Sequence, residues 1–120
     1  MFKNLFIVFV GGGLGAMLRL LGYVFIPNNN FPWASLLVNV TGSLLIGIII
    51  GLNVKEPFLS DEMKLFLATG VCGGFTTFSA FSADNLSLLQ QGKTGIALLY
   101  IISSFILALL AVWIGFKTGS

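Results

Sequence analysis

The sequence has no histidine, a single cysteine and only four acidic residues, and each scarcity removes a class of function. The absence of histidine removes the commonest metal ligand and general base of proteins. Cys72 stands alone, so no disulfide framework can form. The acids are Glu56, Asp61, Glu62 and Asp84, and the first three fall in one predicted loop. No familiar hydrolytic or metal-binding set assembles from these residues, which favours transport or a structural role over catalysis.

Charge is also scarce, because charged residues make up 8% of the chain and the net charge is only +2. That charge is too small to indicate a nucleic-acid partner. Apolar residues reach 57% and concentrate in four stretches, each of about 20 residues or more, the length that crosses a hydrocarbon core of roughly 30 Å. The sequence therefore predicts a single all-α membrane domain, residues 1–120, with four transmembrane helices. These cover residues 5–26, 33–52, 63–89 (with a break near 73–77) and 96–116.

The predicted connections at residues 27–32, 53–62 and 90–94 are too short to hold a soluble domain, so any function lies within the membrane. Ser60 followed by two acids is typical of a helix start. Lysines are slightly more frequent on the side that carries both termini. This bias weakly favours cytoplasmic termini and leaves insertion in both orientations open.

Glycines four residues apart indicate close helix contacts in the first two predicted helices. The pairs are Gly11 with Gly15 and Gly47 with Gly51. Such contacts form either within one subunit or between subunits. Four helices make a bundle too thin to enclose a polar pathway, so an oligomer is expected, most simply a dimer.

Polar residues inside the predicted helices are few, and each has two interpretations. Arg19 either extends to the membrane interface or faces a watery vestibule where it concentrates anions. Asn39 either joins helices or offers N–H donors to an anion. Tyr100 and Ser104 lie four apart on one helix face and can donate hydrogen bonds, although ordinary packing explains them equally well. Asp84 is predicted near the interface.

The third predicted helix contains the run GVCGGFTTFSAFS at residues 70–82. Its glycines disfavour a continuous helix, and a broken helix persists in lipid only where protein or water satisfies the freed backbone groups. Thr76 or Thr77 is expected to cap the helix that follows. Phenylalanines then recur every three residues beside a stripe of hydroxyls. Ring edges and hydroxyls are weak donors that suit a small anion in a dry pathway.

These motifs resemble the Fluc (CrcB) family of bacterial fluoride channels. The resemblance covers the whole length and rests on GGGLGAMLR at 11–19, LLVNVTGSLLIG at 36–47 and GVCGGFTTFSAFSAD at 70–84. It implies an antiparallel, dual-topology homodimer with two fluoride pores and a central structural sodium ion. The sodium ligands would be the carbonyls of Gly73 and Thr76.

The resemblance also implies roles for side chains. The vestibule residue would be Arg19, and the fluoride pore would be lined by Phe78, Phe81, Asn39, Ser79, Tyr100 and Ser104. Two positions depart from the usual family pattern. Ala80 stands where the family usually has Thr, which removes one hydroxyl donor from the polar track, and Asp84 stands where it often has Glu.

We therefore expect a passive channel of the bacterial inner membrane that exports cytoplasmic fluoride and protects the cell. Its partners would be a second copy of itself, the lipid bilayer and fluoride, with no other protein required. One rival is a four-helix proton-coupled multidrug exporter, which needs a carboxylate within the membrane. The other is a non-transporting assembly subunit, which leaves the glycine break unexplained.

Overall fold

The computed structural model describes residues 1–27, 30–55 and 59–120, and every regular element in these ranges is helical. Helix α1 spans Phe2–Phe25 and α2 spans Trp33–Lys55. The third span, Asp61–Gln90, is divided into α3 and α4, and α5 spans Thr94–Gly119. The four spans are long and apolar enough to cross a membrane. The predicted all-α membrane fold with a broken third helix is confirmed.

Helix α3 covers residues 61–75 and changes its winding along its length. It begins with the α-helical turn Asp61–Lys64, widens into the π-helical stretch Leu65–Cys72, and ends with the α-helical turn Gly73–Phe75. Helix α4 then spans Phe78–Gln90. Between them, Thr76 and Thr77 are extended, and we call these two residues the helix break.

Local signals in the sequence explain the helix ends that the structure describes. The Ser60 hydroxyl accepts a hydrogen bond from the Met63 amide at 3.1 Å, which confirms the predicted start of α3. Gly92, with φ of 75°, ends α4. Beside it, Lys93 N–H donates to the Leu88 carbonyl, a pairing typical of glycine-terminated helices. Two predicted turns include Asn28, Asn29 and residues 56–58, which lie outside the described residues.

Helices α1 and α3 meet at a backbone contact made of glycines. A Cβ built on Gly11 would lie 2.7 Å from the Phe66 carbonyl oxygen and 3.0 Å from the Cα of Gly70. One turn further on, a Cβ on Gly15 would meet the Val71 carbonyl oxygen. The missing side chains therefore let the two backbones touch.

Helices α2 and α5 form a second pair in the same way. A Cβ on Gly47 would meet the Val112 carbonyl oxygen, and one on Gly51 would meet that of Phe116. From the other side, a Cβ on Gly119 would lie 2.6 Å from the Ile48 carbonyl oxygen. Both glycine pairs noted in the sequence thus act within one subunit, which decides between the two interpretations left open.

At the break, the third span leaves α1 and begins to pack against the pair formed by α2 and α5. Helix α3 packs on α1, whereas α4 packs mainly on α5. A small buried cluster of Leu36, Leu88, Ala97 and Tyr100 joins α2, α4 and α5. Much of α4 remains uncovered by the chain itself, and Phe78 is 72% exposed.

Gly15→Ala is expected to destabilise the fold by about 1–3 kcal/mol, the usual cost of overpacking a tight contact. The added methyl would meet the Val71 carbonyl and lie 2.7 Å from the Phe75 amide nitrogen. The free energy of unfolding in detergent measures the effect.

The matched control is Gly13→Ala, because a Cβ on Gly13 has no neighbour within 4 Å. It should leave stability unchanged or raise it slightly, since alanine favours a helix over glycine by about 1 kcal/mol. Equal stability of the two variants would refute the contact.

Candidate functional site

The helix break is defined by backbone angles and by side-chain caps on both sides. Thr76 has φ −86° and ψ 153°, and Thr77 has φ −152° and ψ 126°. The Thr76 N–H and hydroxyl both donate to the Cys72 carbonyl, at 3.0 and 2.9 Å. The Thr77 hydroxyl accepts from the Ala80 N–H at 3.2 Å and so caps α4. Thr77 is therefore the N-cap of α4, for which the sequence predicted either Thr76 or Thr77.

Asn39 of α2 hydrogen-bonds both backbone groups of Thr77 in the break. Its Oδ1 accepts the Thr77 N–H at 2.9 Å, and its Nδ2 donates to the Thr77 carbonyl at 3.3 Å. The structure thus shows Asn39 joining helices. An asparagine amide has two N–H donors, so the second N–H is available to another acceptor.

Arg19 of α1 also reaches the break. It is half-buried, and its Nε donates to the Gly74 carbonyl at 3.1 Å. A cation at this position satisfies a carbonyl that the end of α3 leaves without a helical partner. Neither interpretation of Arg19 from the sequence anticipated this contact.

A cleft of about 340 Å³ opens beside the break, between α2, α3, α4 and α5. Its lining, within the described ranges, includes no charged residue. The lining brings together six of the residues predicted for the site: Asn39, Gly73, Thr76, Phe78, Phe81 and Ser104. These residues come from the break and from four helices, and they converge because the break turns α4 towards α5.

Ser104 presents an unused hydrogen-bonding group at this cleft. Its Oγ is buried and has no hydrogen-bond partner among the described residues. Buried hydroxyls are nearly always paired, so an unpaired one is a candidate binding group. Because no described group binds this hydroxyl and the residue lines the cleft, Ser104 is a candidate donor to a guest there.

Phe81 is the centre of an aromatic cluster on the wall of the cleft. Its ring centroid lies 5.5 Å from that of Phe78 and 5.1 Å from that of Tyr100. The Phe105 ring meets it edge-on, at 6.0 Å and 89°. These contacts hold the Phe81 ring in a defined orientation.

Three predicted site residues do not line the cleft. Arg19 lies on the α1 side of the break, as described above. Ser79 pairs its hydroxyl with that of Thr77 at 2.8 Å. Tyr100 is fully buried and donates to Asp84 Oδ2 at 3.0 Å, near a polar groove of about 140 Å³ at the α4–α5 turn. Tyr100 and Ser104 therefore contact different parts of the protein, although they lie four residues apart on one helix face.

Several lining residues were not singled out from the sequence. Gly42 is needed because a Cβ there would meet the Thr76 side chain. A glycine between Thr41 and Ser43 is a small-residue signal that could have found it. Cys72 and Phe105 also line the cleft, and no spacing in the sequence distinguishes them from ordinary apolar residues.

The break offers oxygen ligands from the backbone. The Gly73 and Thr76 carbonyls accept no hydrogen bond from any described residue, and Gly73 is exposed. Histidine, cysteine and acidic side chains form no group of three able to hold a metal in the described ranges. The Gly73 carbonyl lies in the last helical turn of α3 and the Thr76 carbonyl in the break. Backbone oxygens at helix interruptions coordinate monovalent cations in other membrane proteins, so these two are candidate ligands for the sodium ion that the resemblance implies.

Comparison with known proteins places the whole arrangement in one family. The family model described as "CrcB-like protein, Camphor Resistance (CrcB)" matches residues 6–116. The chain belongs to the CrcB family. Three relatives of this CrcB chain carry the name "Fluoride-specific ion channel FluC".

The similarity to these relatives extends over nearly the full length of both proteins. The Flavobacterium psychrophilum protein is 46% identical over 116 residues, 94% of each chain. The Agrobacterium fabrum protein is 43% identical over 97% of this chain and 95% of its own. A Thermus thermophilus protein is 46% identical over 94% of this chain and 91% of its own.

Asn39→Leu is expected to loosen the break in this CrcB chain. The Thr77 N–H and carbonyl would each lose a partner, at about 1–3 kcal/mol per group. Hydrogen exchange of the Thr77 amide should accelerate, and the protein should unfold at lower denaturant.

Thr41→Val, two residues along the same helix, is the control, since the Thr41 side chain makes no hydrogen bond with the described residues. It should change stability by no more than about 0.5 kcal/mol. Slow exchange at Thr77 in Asn39→Leu would show that the amide does not support the break.

Proposed function

We propose that this CrcB chain is a passive fluoride channel of the bacterial inner membrane that releases cytoplasmic fluoride. The observation that carries the proposal is the full-length similarity to relatives named as fluoride-specific ion channels. The uncharged cleft beside the break supports it, because its chemistry suits a small anion.

The cleft replaces water around an anion with several weak donors. The candidates are the second amide N–H of Asn39, the unpaired hydroxyl of Ser104 and the ring edges of Phe78 and Phe81. The edge of a phenyl ring is positive, whereas its face is negative. Conduction requires binding that is strong enough to admit the ion and weak enough to release it. Because the described wall of the cleft carries no fixed cation, the anion would be bound weakly enough to leave.

The Ser79 hydroxyl would extend this path outside the cleft, and Tyr100, whose single O–H already donates to Asp84, would line it with its ring. Ser79 joins Thr77, which lines the cleft, and Tyr100 contacts the Phe81 ring. Arg19 would raise the local concentration of anions in a vestibule. Ala80 contributes no side-chain donor at the position where the family usually has threonine.

Passive release is sufficient to protect a cell. Hydrogen fluoride is a weak acid that crosses lipid in its neutral form and ionises in the near-neutral cytoplasm. The inside-negative membrane potential then drives the anion outward with about 2.3 kcal/mol per charge per 100 mV. A channel needs no ATP site, and it needs no carboxylate that exchanges a proton within the membrane.

The proposed assembly is an antiparallel homodimer that inserts in both orientations and holds two pores. Its support is the thin four-span bundle, in which Phe78 lines the cleft and yet remains 72% exposed. A second copy would cover this surface and complete the pathway. The required partners are then the bilayer and a second copy of the chain.

A structural sodium ion at the centre of the dimer completes the proposal. The Gly73 and Thr76 carbonyls of each protomer would hold it, and their lack of protein donors supports this role. The inner membrane is favoured because outer-membrane proteins span as β-barrels, whereas the described spans are helices.

The decisive experiment is fluoride efflux from liposomes that contain only the purified protein. We expect fast, electrogenic efflux without a proton gradient, measured with a fluoride electrode after potassium permeability is supplied by valinomycin. Efflux that requires a proton gradient would favour an exporter. A folded preparation that releases no fluoride would favour the assembly subunit and exclude the channel.

Ser104→Ala should slow fluoride efflux at least several-fold without destabilising the protein. The variant removes a donor from the cleft, and loss of a buried hydroxyl that has no partner costs no hydrogen bond in the fold. Efflux per reconstituted protein and the free energy of unfolding are measured together.

The neighbouring Ser103→Ala serves as the control, because Ser103 does not line the cleft. Its efflux should equal that of the wild type. Equal efflux in both variants would remove Ser104 from the pathway.

A further inference from the structure

The carbonyl oxygens at the end of α3 and in the break differ in whether they accept a hydrogen bond from the protein. The Cys72 carbonyl accepts two hydrogen bonds from Thr76, and the Gly74 carbonyl accepts one from Arg19. The Gly73 and Thr76 carbonyls accept none from the described residues. Within residues 72–76, the Cys72 and Gly74 carbonyls are therefore occupied by donors from the described residues, whereas those of Gly73, Phe75 and Thr76 are not.

Arg19 reaches Gly74 because of the glycine contact one turn earlier in α1. Gly15 lies four residues before Arg19, so the two share a helix face. At Gly15 the backbone touches α3 near Val71 and Phe75. This contact places the next residue on that face, Arg19, beside the last turn of α3.

The bond is well suited to holding that turn. A cation near a helix C-terminus interacts favourably with the helix dipole. A hydrogen bond from a charged donor is also stronger than one between neutral groups. An unpaired backbone carbonyl is costly in lipid, so the donor from Arg19 stabilises the Gly74 oxygen.

We infer that Arg19 is a positioning residue for the cation site: its Nε–H occupies the Gly74 carbonyl, and so holds the neighbouring Gly73 and Thr76 carbonyls free to bind sodium. This inference rests on the proposed sodium site. It differs from a vestibule role, in which Arg19 acts on the anion through its charge alone.

The two roles predict opposite changes in the affinity for sodium when Arg19 is removed. A nearby guanidinium charge repels a cation, so if charge dominated, its removal would tighten sodium binding. If positioning dominates, its removal loosens the last turn of α3 and weakens sodium binding.

The test is a sodium titration of dimer formation, measured by energy transfer between labelled protomers in liposomes with N-methylglucamine as the replacement cation. Arg19→Met removes the donor and the charge but keeps an unbranched side chain. It should raise the half-maximal sodium concentration roughly tenfold, the size expected for loss of a charge-assisted hydrogen bond. Saturating sodium should restore the dimer.

Arg19→Lys keeps the charge and places an ammonium donor where the planar guanidinium was, so a smaller rise in half-maximal sodium is expected. If Arg19→Met fails to fold, the Arg19→Lys titration decides. Lys3→Gln removes the other α1 cation, whose exposed ion pair with Glu62 lies far from the break along the chain, and should leave the titration unchanged. Unchanged or lowered half-maximal sodium in the Arg19 variants overturns the inference.

Failure of the sodium site itself has a separate signature, because wild-type dimers would then form equally well without sodium. Hydrogen exchange at the Thr76 and Thr77 amides then tests the positioning role of Arg19 alone. Faster exchange in Arg19→Met than in Lys3→Gln supports that role, and equal exchange rejects it.

Discussion

The structure depends on one constraint: a chain that leaves the helical conformation inside a membrane must find partners for its peptide groups within the protein. At Thr77 both groups are satisfied by the side-chain amide of Asn39, with hydrogen bonds of 2.9 and 3.3 Å. Thr76 satisfies the Cys72 carbonyl, and Arg19 satisfies that of Gly74. The carbonyls of Gly73 and Thr76 remain without a donor among the described residues, which leaves them available to an ion.

The position of the break follows from how the helices are paired. Glycines hold α1 against α3 and α2 against α5, and the break is where the third span leaves the first pair for the second. The cleft lies at this crossing and draws its wall from α2, α3, α4 and α5. A straight third helix would keep Phe78 and Phe81 with α3 and away from Ser104. The same interruption thus frees the backbone oxygens and assembles the lining of the cleft.

Much of this could be predicted from the sequence, and the rest depends on contacts that have no local signature. Hydrophobic length predicts the four spans, and the glycines followed by Thr76 and Thr77 predict the break. Periodicity on α5 placed Tyr100 and Ser104 on one face, yet Tyr100 is buried against Asp84 while Ser104 faces the cleft. Spacing within a helix defines a face, but the neighbouring helices decide what that face meets. The Arg19 contact depends in the same way on the packing of α1 against α3.

The glycine contacts also determine how the protein tolerates changes in its sequence. At Gly47 and Gly51 the partner atoms are backbone carbonyl oxygens of α5, which every amino acid provides. Residues at the partner positions Val112 and Phe116 are therefore replaceable as far as this contact is concerned, whereas the glycines themselves admit no side chain. Mutational sensitivity along α2 and α5 should accordingly be one-sided at each contact, concentrated at the glycine and weak at the residue that faces it.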